Sequence, residues 1–171
     1  MSMSHKAYAF DWNTFECDEL LTILIESLES NDVLPLAHYI EIHYTKLKDP
    51  YGGEPLTETW QEMLEKKDTQ EYGDFALTRF YDPAADMGIG EEWMEIDELL
   101  SEFNRGAFLG YPVHSKNNVF DPGYMGSYFQ TPAQVSESFL KISELTIETT
   151  ESFQSLLKDA ALSALGVYVT F

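Results

Sequence analysis

A chain of 171 residues is one domain's worth of protein, and at that size roughly two thirds of the unfolded chain's surface can be buried, enough for a sizeable core. Apolar residues make up 44% and aromatics 14%, which excludes a disordered acidic tail, since such segments lack the apolar area to offset chain entropy. Thirty Asp and Glu against ten Lys and Arg give a net charge of -20, which excludes simple electrostatic binding to nucleic acid or to an anionic membrane surface.

Lys6 to Trp12 alternates and is rich in aromatics, the pattern of a strand, and Val167 to Phe171 repeats it at the other end. The two ends are expected to share a sheet. Asp18 to Glu29 carries Leu20, Leu21, Leu24, Ile25 and Leu28 on one broad helical face. Asn31 is placed as the N-cap of a further helix with Pro35 in its first turn, running to about Lys48. Asp49, Pro50, Gly52 and Gly53 then stop it. A second helical region is expected over Thr57 to Tyr81, in two pieces, with Asp68 and Glu71 as a capping pair between them.

Glu91 to Phe103 reads as one amphipathic helix: Trp93, Ile96, Leu99, Leu100 and Phe103 fall on one side, and Glu91, Glu95, Glu98 and Glu102 on the other. Arg105 to Gln130 mixes glycines with aromatics and reads as a long irregular connection. Thr131, Pro132 and Gln134 form a strong helix start, a capping box with proline in the first turn. A last helix is expected from about Glu148 to Leu165, with Gly166 as its left-handed cap. The sum is a single α+β domain, mostly helical, with a small sheet joining the N- and C-terminal strands.

Cys17 is the only cysteine, so an intramolecular disulfide and a cysteine-ligated zinc site are both excluded, and a reducing compartment, the cytoplasm, fits. Met1 to Phe10 contains no apolar leader core, and no stretch approaches the roughly 20 apolar residues that span a bilayer. No cofactor or metal is expected. His38 and His43 stand five apart, about 140° around a helix, so they cannot meet at one ion as an i, i+4 pair does; His5, His114 or a distant carboxylate would have to complete a site. Ser138 with Lys141 and Ser155 with Lys158 match Ser-x-x-Lys, but the companion elements of the acyl-serine enzymes are missing. Asp82, Asp86, Glu91 and Glu92 lack the alternating ligand spacing of a calcium loop. The chemistry therefore favours a non-catalytic protein.

Two regions stand above background. Asp82 to Glu102 holds eight acids and no base, and the stripe Glu91, Glu95, Glu98 and Glu102 is either a solvated face kept for solubility or a docking surface for a basic protein, as in an immunity or antitoxin-like protein. The aromatic and glycine-rich stretch 106–129 is either a core-plugging connection or the lining of a pocket with polar tips from Tyr111, His114, Tyr124 and Tyr128, where a small-ligand binder or enzyme would use His114 as its base.

The closing AALSALGVYVTF of Ala160 to Phe171, the turn into a Thr-Pro-x-x-Val helix at Gly126 to Val135, and the opening AYAFDW together resemble an uncharacterised family of small bacterial proteins. That family ends in a helix followed by a Gly-Leu-Asp-Leu-Val-type strand. The resemblance implies a bacterial cytosolic fold and carries no activity or catalytic residues with it.

Overall fold

A computed structural model describes residues 3–171, so Met1 and Ser2, the start of the segment read for a leader, lie outside the described residues. The two ends of the chain do share a sheet. β1 (Lys6–Phe10), β2 (Ser127–Gln130) and β3 (Gly166–Thr170) form an antiparallel sheet in the order β1-β3-β2, with the C-terminal strand in the middle. Tyr168 stands opposite Tyr8 on one side and Phe129 on the other.

Strand side chains alternate between faces, and here both faces are covered. Tyr8, Phe10, Phe129 and Tyr168 point into one core, while Ala7, Val167 and Val169 point into a second. The sheet is thus the middle layer of three. Its outer edges are closed as well. Met87 N–H donates to the Ala7 carbonyl at 2.8 Å, and His5 and Gly90 exchange backbone hydrogen bonds at 3.0 and 2.9 Å. Tyr111 and Phe129 do the same along β2 at 2.9 and 2.7 Å. Exposed strand edges invite pairing with other chains, and these short segments remove that template.

The first core is roofed by α1 (Trp12–Cys17), α2 (Leu20–Ser30), α3 (Leu34–His43) and α4 (Thr69–Leu77). The strand expected to reach Trp12 stops at Phe10, because Asp11 accepts the Thr14 N–H and starts α1. Asp18 then accepts the Leu20 N–H at 2.9 Å, so α2 begins two residues later than its apolar pattern suggests. Asn31 is not the N-cap of α3: it closes α2 in the left-handed region (φ 54°), which asparagine tolerates, and Asp32 accepts the Leu34 N–H instead. α3 ends at His43, short of the expected Lys48, and passes into a 3-10 turn over Tyr44–Lys46.

The expected Thr57 to Tyr81 region is a 3-10 turn at Trp60–Met63 followed by α4. Asp68 caps the Glu71 N–H at 2.9 Å as expected. The Glu71 carboxylate does not complete a box; it accepts the backbone N–H groups of Glu65, Lys66 and Lys67 and so folds the turn before its own helix.

The second core lies under α5 (Trp93–Leu99), α6 (Glu102–Leu109), α7 (Pro132–Ser143) and α8 (Glu151–Leu162). The single helix expected over Glu91 to Phe103 is broken. Leu100 is extended (ψ 140°) and Ser101 caps α6 by accepting the Asn104 N–H. The break redirects the chain so that Ala107, Phe108 and Leu109 reach the core. It also carries helix into the stretch expected to be irregular, from Arg105 to Leu109. Gly110 closes α6 at φ 104°, where a side chain would collide with the Phe129 carbonyl.

α7 opens with both halves of the expected capping box, Thr131 and Gln134 each holding the other's backbone N–H. α8 is shorter than expected. The left-handed residue after it is Ala164 (φ 53°), and Gly166 instead opens β3, where any side chain would strike the Gln130 carbonyl of the neighbouring strand.

Candidate functional site

Glu91, Glu95, Glu98 and Glu102 are all exposed, but the break at Leu100 means that they do not form one helical stripe. Glu91 precedes α5, Glu95 and Glu98 lie on it, and Glu102 opens α6 near its positive end. Asp97 is turned to Arg105, whose Nε donates to it at 2.7 Å and ties the two helices across the break. The apolar residues expected to back the stripe divide. Trp93 and Ile96 are buried, whereas Leu99 is 74% and Phe103 71% exposed, with Met94 also open to solvent. Three exposed apolar side chains thus lie in a segment rich in carboxylates.

The neighbouring acids have structural work. Asp86 accepts the N–H groups of Ala7 and Gly88 and fastens the 86–90 segment to β1, and Asp82 caps Ala84 and pairs with Lys48 at 3.4 Å. Among the described residues no group of three or more His, Cys, Asp or Glu is arranged to hold a metal ion. No helix there is long and apolar enough to cross a membrane.

A groove of about 380 Å³ runs between α6 and α7. Phe103 and Tyr111 supply aromatic faces, Glu102 and Glu137 carboxylates, and Lys141 an ammonium that sits 4.0 Å from the Phe103 ring centroid. Gln130 reaches this groove from β2 and is 1% exposed. Its Nε2 donates to the Ala107 carbonyl at 3.0 Å, and its Oε1 has no partner. A buried acceptor without a donor is uncommon, because desolvation is then uncompensated.

Of the four residues read as polar tips of a pocket, Tyr111 lines this groove. The others stand in different surroundings. His114 is exposed, with Nδ1 3.1 Å from the Ser115 carbonyl oxygen; Tyr124 is exposed under the Lys66 ammonium; Tyr128 meets Phe171 edge-on beside the second core. The large rings of the same stretch, Phe108, Phe120 and Phe129, fill the two cores.

Comparison with protein-family models, with curated proteins and with solved structures finds no match to this chain. What marks a function in this chain is its own surface and its buried groups.

One such group gave no signal in the sequence. Asp74, in the middle of α4, is buried, and desolvation pushes its carboxyl up to about 7, reinforced by Asp49 and Glu71 and opposed by the Tyr51 hydroxyl and Lys6. Tyr8, Tyr81 and Tyr168 gather around it, and burial raises all three phenols, Tyr8 to about 12. With Lys6 and Thr170, these groups, Tyr168 apart, line a space of about 40 Å³, little more than one water molecule. That is too small for a substrate. A wider cleft of about 380 Å³ opens beside it, between Tyr51, Lys66, Asp68 and Glu71. Asp74 occupies an apolar position of α4, between Gly73 and Phe75, so only long-range packing identifies its neighbours.

The remaining candidates stand in separate surroundings. His5 is fully buried and makes two hydrogen bonds. His43 packs at a tilt against Tyr39 with ring centroids 4.4 Å apart, and His38 is exposed. Cys17 is exposed at the end of α1, shortly before α2. Lys141 is turned to Phe103, and Ser155 is exposed on α8.

Proposed function

We propose that this protein is a non-catalytic binding domain that docks a basic protein through the surface of α5 and α6, in the manner of an immunity or antitoxin-like protein. The observation that supports it is the exposure of Leu99 and Phe103 among Glu95, Glu98 and Glu102. Apolar anchors inside a charged rim are the anatomy of a protein interface, and a rim of one sign selects a partner of the other. Solubility alone accounts for the acids but not for the apolar residues between them. The free, exposed Cys17 suits a reducing compartment such as the cytoplasm.

The test is affinity capture from the host's lysate at low salt and at about 0.5 M salt, where screening is strong, using the wild-type chain and a variant with Glu91, Glu95, Glu98 and Glu102 replaced by Gln. The expected result is one basic protein, held at low salt, released at high salt and lost from the variant. Equal capture by the variant, or no basic protein at low salt, overturns the reading.

A further inference from the structure

The groove between α6 and α7 adjoins the proposed docking surface and shares Glu102 and Phe103 with it. We infer that this groove seats an arginine side chain of the partner, an inference that rests on the docking reading and names the chemistry at its centre. Three separate features of the groove ask for the same group.

The first is an aromatic face that already holds a cation. The Lys141 ammonium lies 4.0 Å from the Phe103 ring centroid, so the ring is presented to positive charge, and it remains largely open to solvent. The second is charge. Glu102 and Glu137 face one ammonium, Lys141, which leaves the groove one positive charge short of neutrality. The third is an unfilled acceptor on Gln130, a residue that lines the groove. Gln130 Oε1 has no donor while Nε2 of the same amide is fixed on the Ala107 carbonyl, so the amide cannot flip to satisfy itself without abandoning that bond.

A guanidinium meets all three demands together. It is flat and stacks on an aromatic ring, it carries a permanent charge, and its five N–H groups reach a carboxylate and an amide oxygen at the same time. A lysine ammonium supplies charge but no flat face, and its strong hydration opposes entry. Lys141 already occupies that role and would be displaced along the ring. The groove's volume, about 380 Å³, is at the small end of ligand sites and suits a single side chain.

The experiment titrates the isotope-labelled full chain with the capped tripeptide acetyl-Gly-Arg-Gly-amide, following amide chemical shifts, with the citrulline and lysine analogues in parallel. Citrulline keeps the shape of arginine and removes its charge. The expected result is saturable shifts at the Gln130 side-chain amide and at Phe103 and Tyr111, with binding weakened about tenfold or more by either analogue. Phe103→Leu, at an exposed position, should weaken the arginine peptide by a similar factor without disturbing the fold, and Gln130→Leu should abolish its preference over lysine. Equal binding of the arginine and lysine peptides, or shifts that miss Gln130, overturns the inference. Salt-sensitive capture of a basic protein with no arginine preference would leave the docking surface standing and remove the arginine seat. A specific arginine response without any basic partner would do the reverse.

Discussion

His5 Nε2 donates to the Phe108 carbonyl at 2.8 Å, a bond that spans 103 residues and joins the N-terminal segment to α6. Nδ1 of the same ring accepts the Ile89 N–H at 3.1 Å, so the neutral imidazole uses both nitrogens. Trp93 and Phe153 lie 5.0 Å away and Phe171 5.6 Å, ring to ring. Burial in this cage pulls the imidazole down to about 4. Between that value and 6.5 the unfolded chain binds a proton that the folded chain does not, so the stability His5 contributes is complete above pH 6.5 and is lost as pH falls towards 4. His5→Leu should cost about 2–4 kcal/mol at pH 7.5, since it orphans a buried carbonyl and a buried N–H. Urea denaturation at pH 7.5 and 5 should show the gap between wild type and variant narrowing at the lower pH. A gap that stays constant would mean that protonation of His5 does not oppose folding.

Asp74 has the opposite sign. Its folded value, about 7, lies above the unfolded value of 3.8, so the folded state binds the extra proton in that window. Its contribution is most favourable below pH 4 and is lost as pH rises through 7, by about 4 kcal/mol for a shift of this size. Asp74→Asn should therefore stabilise the protein at pH 8.5 and differ little from wild type at pH 5. Thermal melts of the pair across this range read the difference directly. A variant less stable at pH 8.5 would show that the ionised carboxylate is held by its neighbours rather than penalised by burial.

The first core is tied together by a charged knot. Arg79 Nη1 donates to Asp18 at 2.9 Å and to the Tyr39 hydroxyl at 2.8 Å, and that hydroxyl donates to Asp18 at 2.9 Å. The three residues come from the end of α1, the middle of α3 and the chain just after α4, and their charged groups are largely shielded. Removing one member strands the others, so Arg79→Ala should cost about 3 kcal/mol. The cycle with Asp18→Ala should show a coupling of about 1–3 kcal/mol, because the second deletion relieves the stranded carboxylate. Additive losses would reduce the knot to a surface pair.

Much of this arrangement is legible in the residues themselves. The alternation of Lys6 to Phe10 and of Val167 to Thr170 marks the two strands that pair, and the Thr131, Pro132 and Gln134 box marks the start of α7. The local signals failed where one residue type has two uses. Asn31 can cap a helix at its start or end it in the left-handed region, and the choice is made by Asp32 taking the next N–H. β2 is four residues long and is flanked by glycine and proline, so its pairing with β3 is visible only once the sheet is assembled. The groove is hidden for a similar reason: Gln130 reads as an ordinary polar strand residue, and only the fold brings its Nε2 to the Ala107 carbonyl, 23 positions away, with its oxygen left unpaired.

The break between α5 and α6 separates two expectations that a continuous helix would merge. On an unbroken helix Leu99 and Phe103 would share the buried face with Ile96, and all three would be costly to replace. With Leu100 extended and Ser101 as a new cap, only Ile96 remains in the core. Ile96→Ala should cost about 2–4 kcal/mol through the cavity it leaves. Leu99→Ser should stay within about 0.5 kcal/mol of wild type, as a substitution on an open surface does. Phe103→Ser should lose only the contact with Lys141, about 0.5–1 kcal/mol at an exposed site. Chemical denaturation of the three single variants measures this contrast. If Leu99→Ser and Phe103→Ser are folded and stable yet fail to hold the partner, the two side chains are kept for binding; if they unfold the domain, α5 and α6 are one helix and the exposed apolar group does not exist.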